Sequence, residues 1–381
     1  MTHPVQATLR YDFADDNRQP RSDTVTDELK KHRVAIDALD ERIVLLLNER
    51  AAHARSIGEI KGDAPAYRPE REAQVLRHVS AVGAGPLAPE RVAAVFSEIM
   101  SACRALEQPM TVAYLGPEGT FSEMAMFKQF GHGAQGLPVA SIDEVFRSVE
   151  SRASHNAVVP VENSTEGAIG RTLDLLLTTP LKICGEVVLR VRQNLIAKHG
   201  ERSISSYTRV YSHPQSLGQC HAWLMQNLPG AERAPVSSNA EAARRAGEET
   251  GACAIGPELA AERYGLALVA RGIEDDPRNM TRFLVLGWDE AGPSGRDRTS
   301  IVMSAANRPG AVHELISPFA RHGVSLSRIE SRPARTGQWE YLFYVDLEGH
   351  LSEPQVAQAL AEVKEKAPFV KVFGSYPAAS F

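Results

Sequence analysis

No stretch of the 381 residues holds about 18 apolar positions free of charge, so no membrane-spanning helix is expected. The amino terminus lacks the apolar core of an export signal. Cysteine is scarce. Cys103, Cys184, Cys220 and Cys253 stand apart with no C-x-x-C spacing, which excludes a disulfide scaffold or structural zinc site and fits a reduced, cytoplasmic protein. A basic excess is also missing, and a formal net charge of -5 argues against a nucleic-acid groove. No G-x-G-x-x-G follows a strand and no Walker A run occurs; Gly83-Ala84-Gly85 falls between helical segments without the third glycine. His213, His221 and Cys220 match no metal-ligand spacing. Neither a cofactor nor a metal is expected.

What is present is length enough for two or three domains. Residues 1–22 are polar and mixed in charge, and read as a flexible extension. Thr26 reads as a helix cap, with Asp27 and Glu28 in the favourable first turn. Leu29, Ile36 and Ile43 then recur every seven residues, with Leu39 and Leu46 as partners, in a coiled-coil-like seam. The next position of that register is Arg50, and Ala54, Ile57 and Lys61 continue the face. A lone arginine on a seam edge is explained by snorkelling. Arg33, Arg50 and Lys61 near one apolar face point instead to a cavity that receives a polyanion. Pro69 opens a shorter helix on which Glu72, Val75, Leu76 and Val79 share a face. A third helix carries Val92, Phe96, Ile99 and Cys103, with Glu107 one turn beyond. Long helix, short helix and long helix with so apolar a seam predict an intertwined helical dimer.

Residues 23–109 resemble the all-helical chorismate mutase family, whose members cradle chorismate between helices of two subunits. The resemblance implies that Arg33, Arg50 and Lys61 form the basic set, with Lys61 and Glu107 at the ether oxygen. Glu72 matches the carboxylate that holds the ring hydroxyl, Cys103 falls where fused bacterial enzymes have Ser, and Arg68 where some members have Asp. Glu107 stands in place of Gln. A carboxyl group donates a hydrogen bond only when protonated, against a free value of about 4.3, so mutase turnover is expected to fall as pH climbs. The rearrangement is pericyclic and needs no nucleophile, only a folded substrate and charge at the breaking bond.

Residues 111–287 alternate strand and helix patterns, so a parallel α/β unit of two lobes with a cleft is expected. It opens on an apolar strand, a Gly116-Pro117-Glu118-Gly119 turn and Thr120-Phe121-Ser122 before a helix, an arrangement that presents backbone N–H groups to an anion or simply makes a tight turn. Six ordered segments, YLGPEGTFS, VPVENSTEG, YSHPQSLGQC, SSNAEAA, AIGPELAA and NMTRF, resemble prephenate dehydratase, of periplasmic-binding-protein-like fold. The resemblance makes Thr281 the catalytic hydroxyl, framed by Arg282 and Phe283. Thr120, Ser122, Glu162, Asn163, Ser164, Ser212, His213 and Gln215 are the further candidate pocket residues.

Residues 288–298, with a Gly-Pro-Ser-Gly run, read as a linker. Residues 299–376 follow a βαββαβ order that fits an α+β, ferredoxin-like sandwich. They resemble the ACT-type amino-acid sensor. Asn307, Pro309, Gly310, Ala311 and Val312, with Glu330 and Ser331, match its ligand loops and imply phenylalanine binding between paired modules. The expectation is a multidomain enzyme of phenylalanine biosynthesis with chorismate and prephenate as substrates, phenylalanine as allosteric inhibitor, and a homodimer or higher homo-oligomer as assembly. A mutase fused to a dehydrogenase lacks its dinucleotide fingerprint. A non-enzymatic switch, with a small-anion receptor joined to a sensor and the helices as dimeriser, is opposed by the charged lining of the seam.

Overall fold

The computed structural model describes residues 21–62, 64–83, 85–200, 203–306, 308–334 and 341–379, with side chains from Val25 onward. It divides after His53 into two units. Helix α1 (Arg21–Lys61) runs 41 residues. No proline interrupts that stretch, and Pro20 stands immediately before it. Thr26 therefore lies inside the helix rather than capping it, because Ser22, Asp23 and Thr24 contain no breaker. The rest of the expected extension lies outside the described residues. Leu29, Ile36, Leu39, Ile43 and Leu46 are each at least half exposed, so the heptad seam is uncovered in one chain.

In the second unit, the end of α1 is followed by α2 (Pro69–Val82) and α3 (Pro89–Glu107), each opened by a proline where a missing N–H costs nothing. Gly58 lies against α3, since a Cβ there would meet Glu107 Cβ at 3.2 Å. The first lobe comprises β1 (Thr111–Leu115), α4 (Phe121–Phe130), β2 (Gln135–Val139), α5 (Ile142–Glu150), β3 (Asn156–Asn163), β4 (Gly167–Ala168), α6 (Gly170–Thr178) and β5 (Lys182–Arg190). The second comprises β6 (Asn194–Ala197), β7 (Arg209–Ser212), α7 (Pro214–Gln219), α8 (His221–Asn227), β8 (Glu232–Pro235), α9 (Asn239–Glu248), β9 (Ala252–Gly256), α10 (Glu258–Arg263) and β10 (Ala267–Ala270).

The chain then returns as β11 (Met280–Gly287), inserted between β3 and β5 to give the order β2-β1-β3-β11-β5, with β4 beside β3. The second sheet runs β10-β6-β9-β7-β8. The two-lobed α/β unit expected from the sequence thus carries mixed sheets, parallel only in part. Helical crossovers leave β1, β2 and β3 parallel, as they do β7, β8 and β9. The segments that cross between lobes instead join strand ends directly at the cleft, so β11 is antiparallel to both neighbours and β6 to β9 and β10.

The last module is β12 (Asp297–Ala305), α11 (Ala311–Arg321), β13 (Leu326–Pro333), β14 (Tyr341–Glu348), α12 (Pro354–Lys366) and β15 (Phe369–Pro377). Its antiparallel order, β13-β14-β12-β15, is that of the ferredoxin-like sandwich. Its helices cover one face of the sheet. From the other face Val302, Tyr344, Phe373 and Tyr376 share a core with Val161, Leu173, Leu176 and Ile183 of the first lobe. Strand β15 approaches β5 so closely that a Cβ on Gly374 would stand 2.2 Å from the Ile183 carbonyl oxygen. The stretch expected as a linker is a packed connector. Trp288 Nε1 donates to the Val149 carbonyl at 2.9 Å, His350 Nε2 lies 3.0 Å from the Ala291 carbonyl, and Arg77 donates to the Ser294 carbonyl.

Candidate active site

The two lobes enclose a cleft of about 310 Å³, at the lower end of the ~300–1,000 Å³ range for small-molecule sites. Its walls include Gly116, Thr120, Phe121 and Ser122 from the opening turn, Asn163 and Thr281 from the first sheet, and Gln193, His213, Gln215, Ser216, Gln219, Ser237, Ser238 and Asn239 from the second lobe. None of these described lining residues is a lysine, arginine, aspartate or glutamate. Positive potential comes from backbone. The amino ends of α4 and α9 open here, capped by Thr120, which accepts from Glu123 N at 3.4 Å, and by Ser238, which accepts from Glu241 N at 3.0 Å. His213 caps α7 by accepting the Gln215 N–H on Nδ1 at 3.3 Å, which leaves its proton on Nε2.

Thr281 sits at the end of an interior strand, paired across to Asn163. The Asn163 Nδ2 donates to Thr281 Oγ1 at 2.9 Å, while its Oδ1 accepts from the Thr165 amide at 3.0 Å. With Oγ1 accepting from Asn163, the threonine O–H stays available to donate, and Thr281 lines the cleft. Asn279 and Ser164 brace the same turn: Asn163 Nδ2 and Ser164 Oγ both reach Asn279 Oδ1, at 2.9 and 3.2 Å. Gln193, which the sequence motifs did not flag, is 1 % exposed; its Nε2 donates to Ser216 Oγ and its Oε1 has no hydrogen-bond partner. Ser216, Gln219 and Asn239 line the cleft as well, each inside one of the six motif segments; the periodicity of α7 and the place of Asn239 immediately after the Ser238 cap are the signals that point to them.

The lobes are tied at the opening turn. Glu123 is almost wholly buried, accepts the Gly119 N–H, and is ion-paired to Arg263 of α10. Gly119 has φ +83°, and a Cβ there would lie 3.2 Å from Ala260 Cα, so two constraints require glycine.

Several expected pocket residues lie elsewhere. Arg282 and Glu162 alternate away from Thr281 and Asn163 and project to the far face of the sheet, toward the C-terminal module. There Arg282 Nε bonds Glu186 at 2.7 Å and Nη1 bonds Asp346 at 2.5 Å. Burial opposes its charge, but Tyr376, Asp346 and Glu186 outweigh that and hold the guanidinium above its ordinary value. Phe283 is a core residue at 1 % exposure. Ser212 is fully buried, donating to Asn239 Oδ1, while Ser164 Oγ accepts from Met280 N. Both support the cleft without lining it.

Of the helical candidates, Arg33 and Arg50 fall in the unit up to His53, exposed and half-buried respectively. In the other unit Lys61 Nζ stands 3.7 Å from Glu107 Oε2, which has no hydrogen-bond partner. Glu72 is ion-paired to the buried Arg104, which also donates to the Phe130 carbonyl at 2.5 Å. Cys103 is buried, and Arg68 is exposed and paired with Glu70 at 2.7 Å. In the C-terminal module Pro309 and Gly310, at φ +80°, turn the chain into α11 with Ala311 and Val312, and Glu330 and Ser331 lie on β13. Asn307 lies outside the described residues.

Family models match this chain in three successive regions: chorismate mutase type II over residues 32–108, prephenate dehydratase over 112–291 and ACT domain over 299–365. The bifunctional chorismate mutase/prephenate dehydratase of Neisseria gonorrhoeae is 51 % identical over 360 residues, covering 94 % of this chain and 99 % of that one. The enzyme of the same name from Stutzerimonas stutzeri is 49 % identical, covering 93 % and 98 %. Among solved structures, prephenate dehydratase in complex with L-Phe from Arthrobacter aurescens superposes with TM-score 0.65 at 34 % identity, over 70 % of this chain and 90 % of that one.

Proposed function

The chain belongs to the bifunctional chorismate mutase/prephenate dehydratase family, and from that premise we propose how its residues divide two consecutive reactions. It rearranges chorismate to prephenate and converts prephenate to phenylpyruvate.

The observation that carries the dehydratase assignment is the Thr281 hydroxyl held at 2.9 Å by the Asn163 amide inside the cleft. Prephenate loses carbon dioxide and its ring hydroxyl, and aromatisation supplies the driving force, so no strong base is required. The substrate carboxylates sit against the amino ends of α4 and α9, near Thr120, Ser122, Ser238 and Asn239. His213 and Gln215 donate from the opposite wall. Thr281 O–H donates to the departing hydroxyl and relays a proton to it.

In the mutase, Arg33 and Arg50 take the chorismate carboxylates, and Lys61 and Glu107 lie at the ether oxygen. Arg104 holds the Glu72 carboxylate in place for the ring hydroxyl, beside Cys103 and Arg68. The uncovered seam of α1 supports pairing of two copies, which brings both arginines to a shared cavity. Phenylalanine, the molecule named with the Arthrobacter structure, is the proposed allosteric ligand. Backbone groups from Asn307 to Val312 take its ammonium and carboxylate, with Glu330 and Ser331 alongside. The four cysteines, all free and buried, suit a reducing cytoplasm. No helix among the described residues is long and apolar enough to cross a membrane.

Chorismate added to the purified protein without any cofactor tests the assignment. Its loss should be followed by phenylpyruvate, and millimolar phenylalanine should slow the second step more than the first. Prephenate that accumulates without phenylpyruvate would remove the dehydratase reading.

A further inference from the structure

Two consecutive cross-strand pairs join β11 to β3: Thr281 with Asn163, then Arg282 with Glu162. Alternation sends them to opposite faces of the sheet. The first pair lines the cleft. Both members of the second are ion-paired to the C-terminal module. Arg282 Nη1 meets Asp346 Oδ2 of β14 at 2.5 Å, and Glu162 Oε2 meets Arg328 Nε of β13 at 2.7 Å. Arg282 Nη2 also donates to the Tyr376 hydroxyl of β15 at 3.0 Å. Four residues along β13 from Arg328, Arg332 Nη1 donates to the Gly170 carbonyl and lies 3.3 Å from Asp174, both on α6. Between these two anchors lie Glu330 and Ser331.

We propose that Arg282 and Glu162 are positioning residues through which the C-terminal module sets the geometry of the Thr281–Asn163 pair. The proposal rests on the dehydratase and phenylalanine assignments above and deepens them. The linkage is nearly dry on the Arg282 side, where side-chain exposures are 13 % for Arg282, 1 % for Glu186 and 6 % for Asp346; on the other side Arg328 is 11 % exposed and its partner Glu162 36 %. Only a gap of about 10 Å³ remains in the seam beside Arg282, Arg328 and Asp346, about one water in size. A shift of β14 on ligand binding therefore cannot be absorbed by swinging the side chains around Arg282. The movement passes to the backbone of residues 162 and 282, one peptide from each member of the cleft pair. A displacement of ~1 Å at a reacting group costs about 100-fold in rate, so small motions suffice.

The test uses the full chain with Arg328→Gln and Glu162→Gln, singly and together, and Arg328→Lys as the conservative control. Dehydratase kcat should fall about 2- to 30-fold, the span of coupling changes along such contacts. Prephenate KM should stay within about twofold, and the phenylalanine concentration for half-inhibition should rise by a similar factor to the loss in kcat. The double variant should be no worse than the poorer single, Arg328→Lys should retain most of the response, and mutase turnover should be unchanged. Should Glu162→Gln fail to fold, Asp346→Asn probes the same linkage from the module. Variants whose kcat and phenylalanine response both stay within about twofold of the parent overturn the proposal. So does a loss confined to KM, which would put Glu162 against the substrate. Parent protein lacking dehydratase turnover or a phenylalanine response would instead refute the underlying assignments.

Discussion

At the residue scale the proposed dehydratase chemistry rests on one hydroxyl, that of Thr281. Thr281→Ala removes the donor while Asn163 keeps its bonds to Asn279 and Met280, so the strand end survives. Dehydratase kcat is expected to drop about 10²- to 10⁴-fold in a steady-state phenylpyruvate assay, with mutase turnover intact. Near-parental kinetics would exclude Thr281 as the donor. The thiols make a different prediction. All four are buried, and burial pushes Cys184 up to about 12 and raises Cys220 as well. A thiol raised on folding binds its proton more tightly folded than unfolded. Its contribution is complete below the unfolded value of about 8.5 and is lost as pH rises from there through the folded value. Urea midpoints measured from pH 7 to pH 10 should therefore decline above about pH 8.5, and a thiol-disulfide reagent at pH 8 should label the protein only after unfolding.

At the element scale the opening turn bends the chain and ties the lobes together. Its glycine conformation, its capped helix and the Glu123–Arg263 pair join the two lobes at the cleft. Arg263→Ala leaves the Glu123 carboxylate buried at 2 % exposure without its cation. Breaking a fully buried pair costs ~3–5 kcal/mol, but Arg263 is 39 % exposed and solvent screens it, so about 1–3 kcal/mol is expected from thermal or urea unfolding. Prephenate KM should rise as the lobes separate more easily; an unchanged KM and midpoint would show the pair to be incidental. Strand existence was legible from apolar runs such as Ala157-Val158-Val159-Pro160-Val161 and the Phe283-Leu284-Val285-Leu286 run of β11. Its direction was not, because parallel or antiparallel pairing depends on which end of the sheet the chain re-enters, and local pattern carries no record of that.

At the scale of the whole molecule, α1 exposes a heptad seam that a single chain leaves in water. The double substitution Leu39→Glu with Ile43→Glu should reduce the assembly size in sedimentation velocity and lower mutase turnover by at least about tenfold, leaving the dehydratase, within the other unit, active. Mutase activity that survives a shift to monomer would separate catalysis from assembly. The two chemistries came from the resemblance of the chain's ordered motifs to known families; the three regions were readable from the chain alone, because helix period and strand alternation are written in neighbouring residues. The side to which each residue turns was not. Arg282 follows Thr281 directly, yet one faces the cleft and the other a carboxylate cluster in the C-terminal module. Alternation guarantees that they part, but only the packing of a second domain on the far face decides what Arg282 meets there. For the same reason Glu162 left the pocket and Gln193, in no motif, joined it: a cleft is assembled from strand ends brought together by crossings distant in sequence, and contact across that distance is a property of the folded chain.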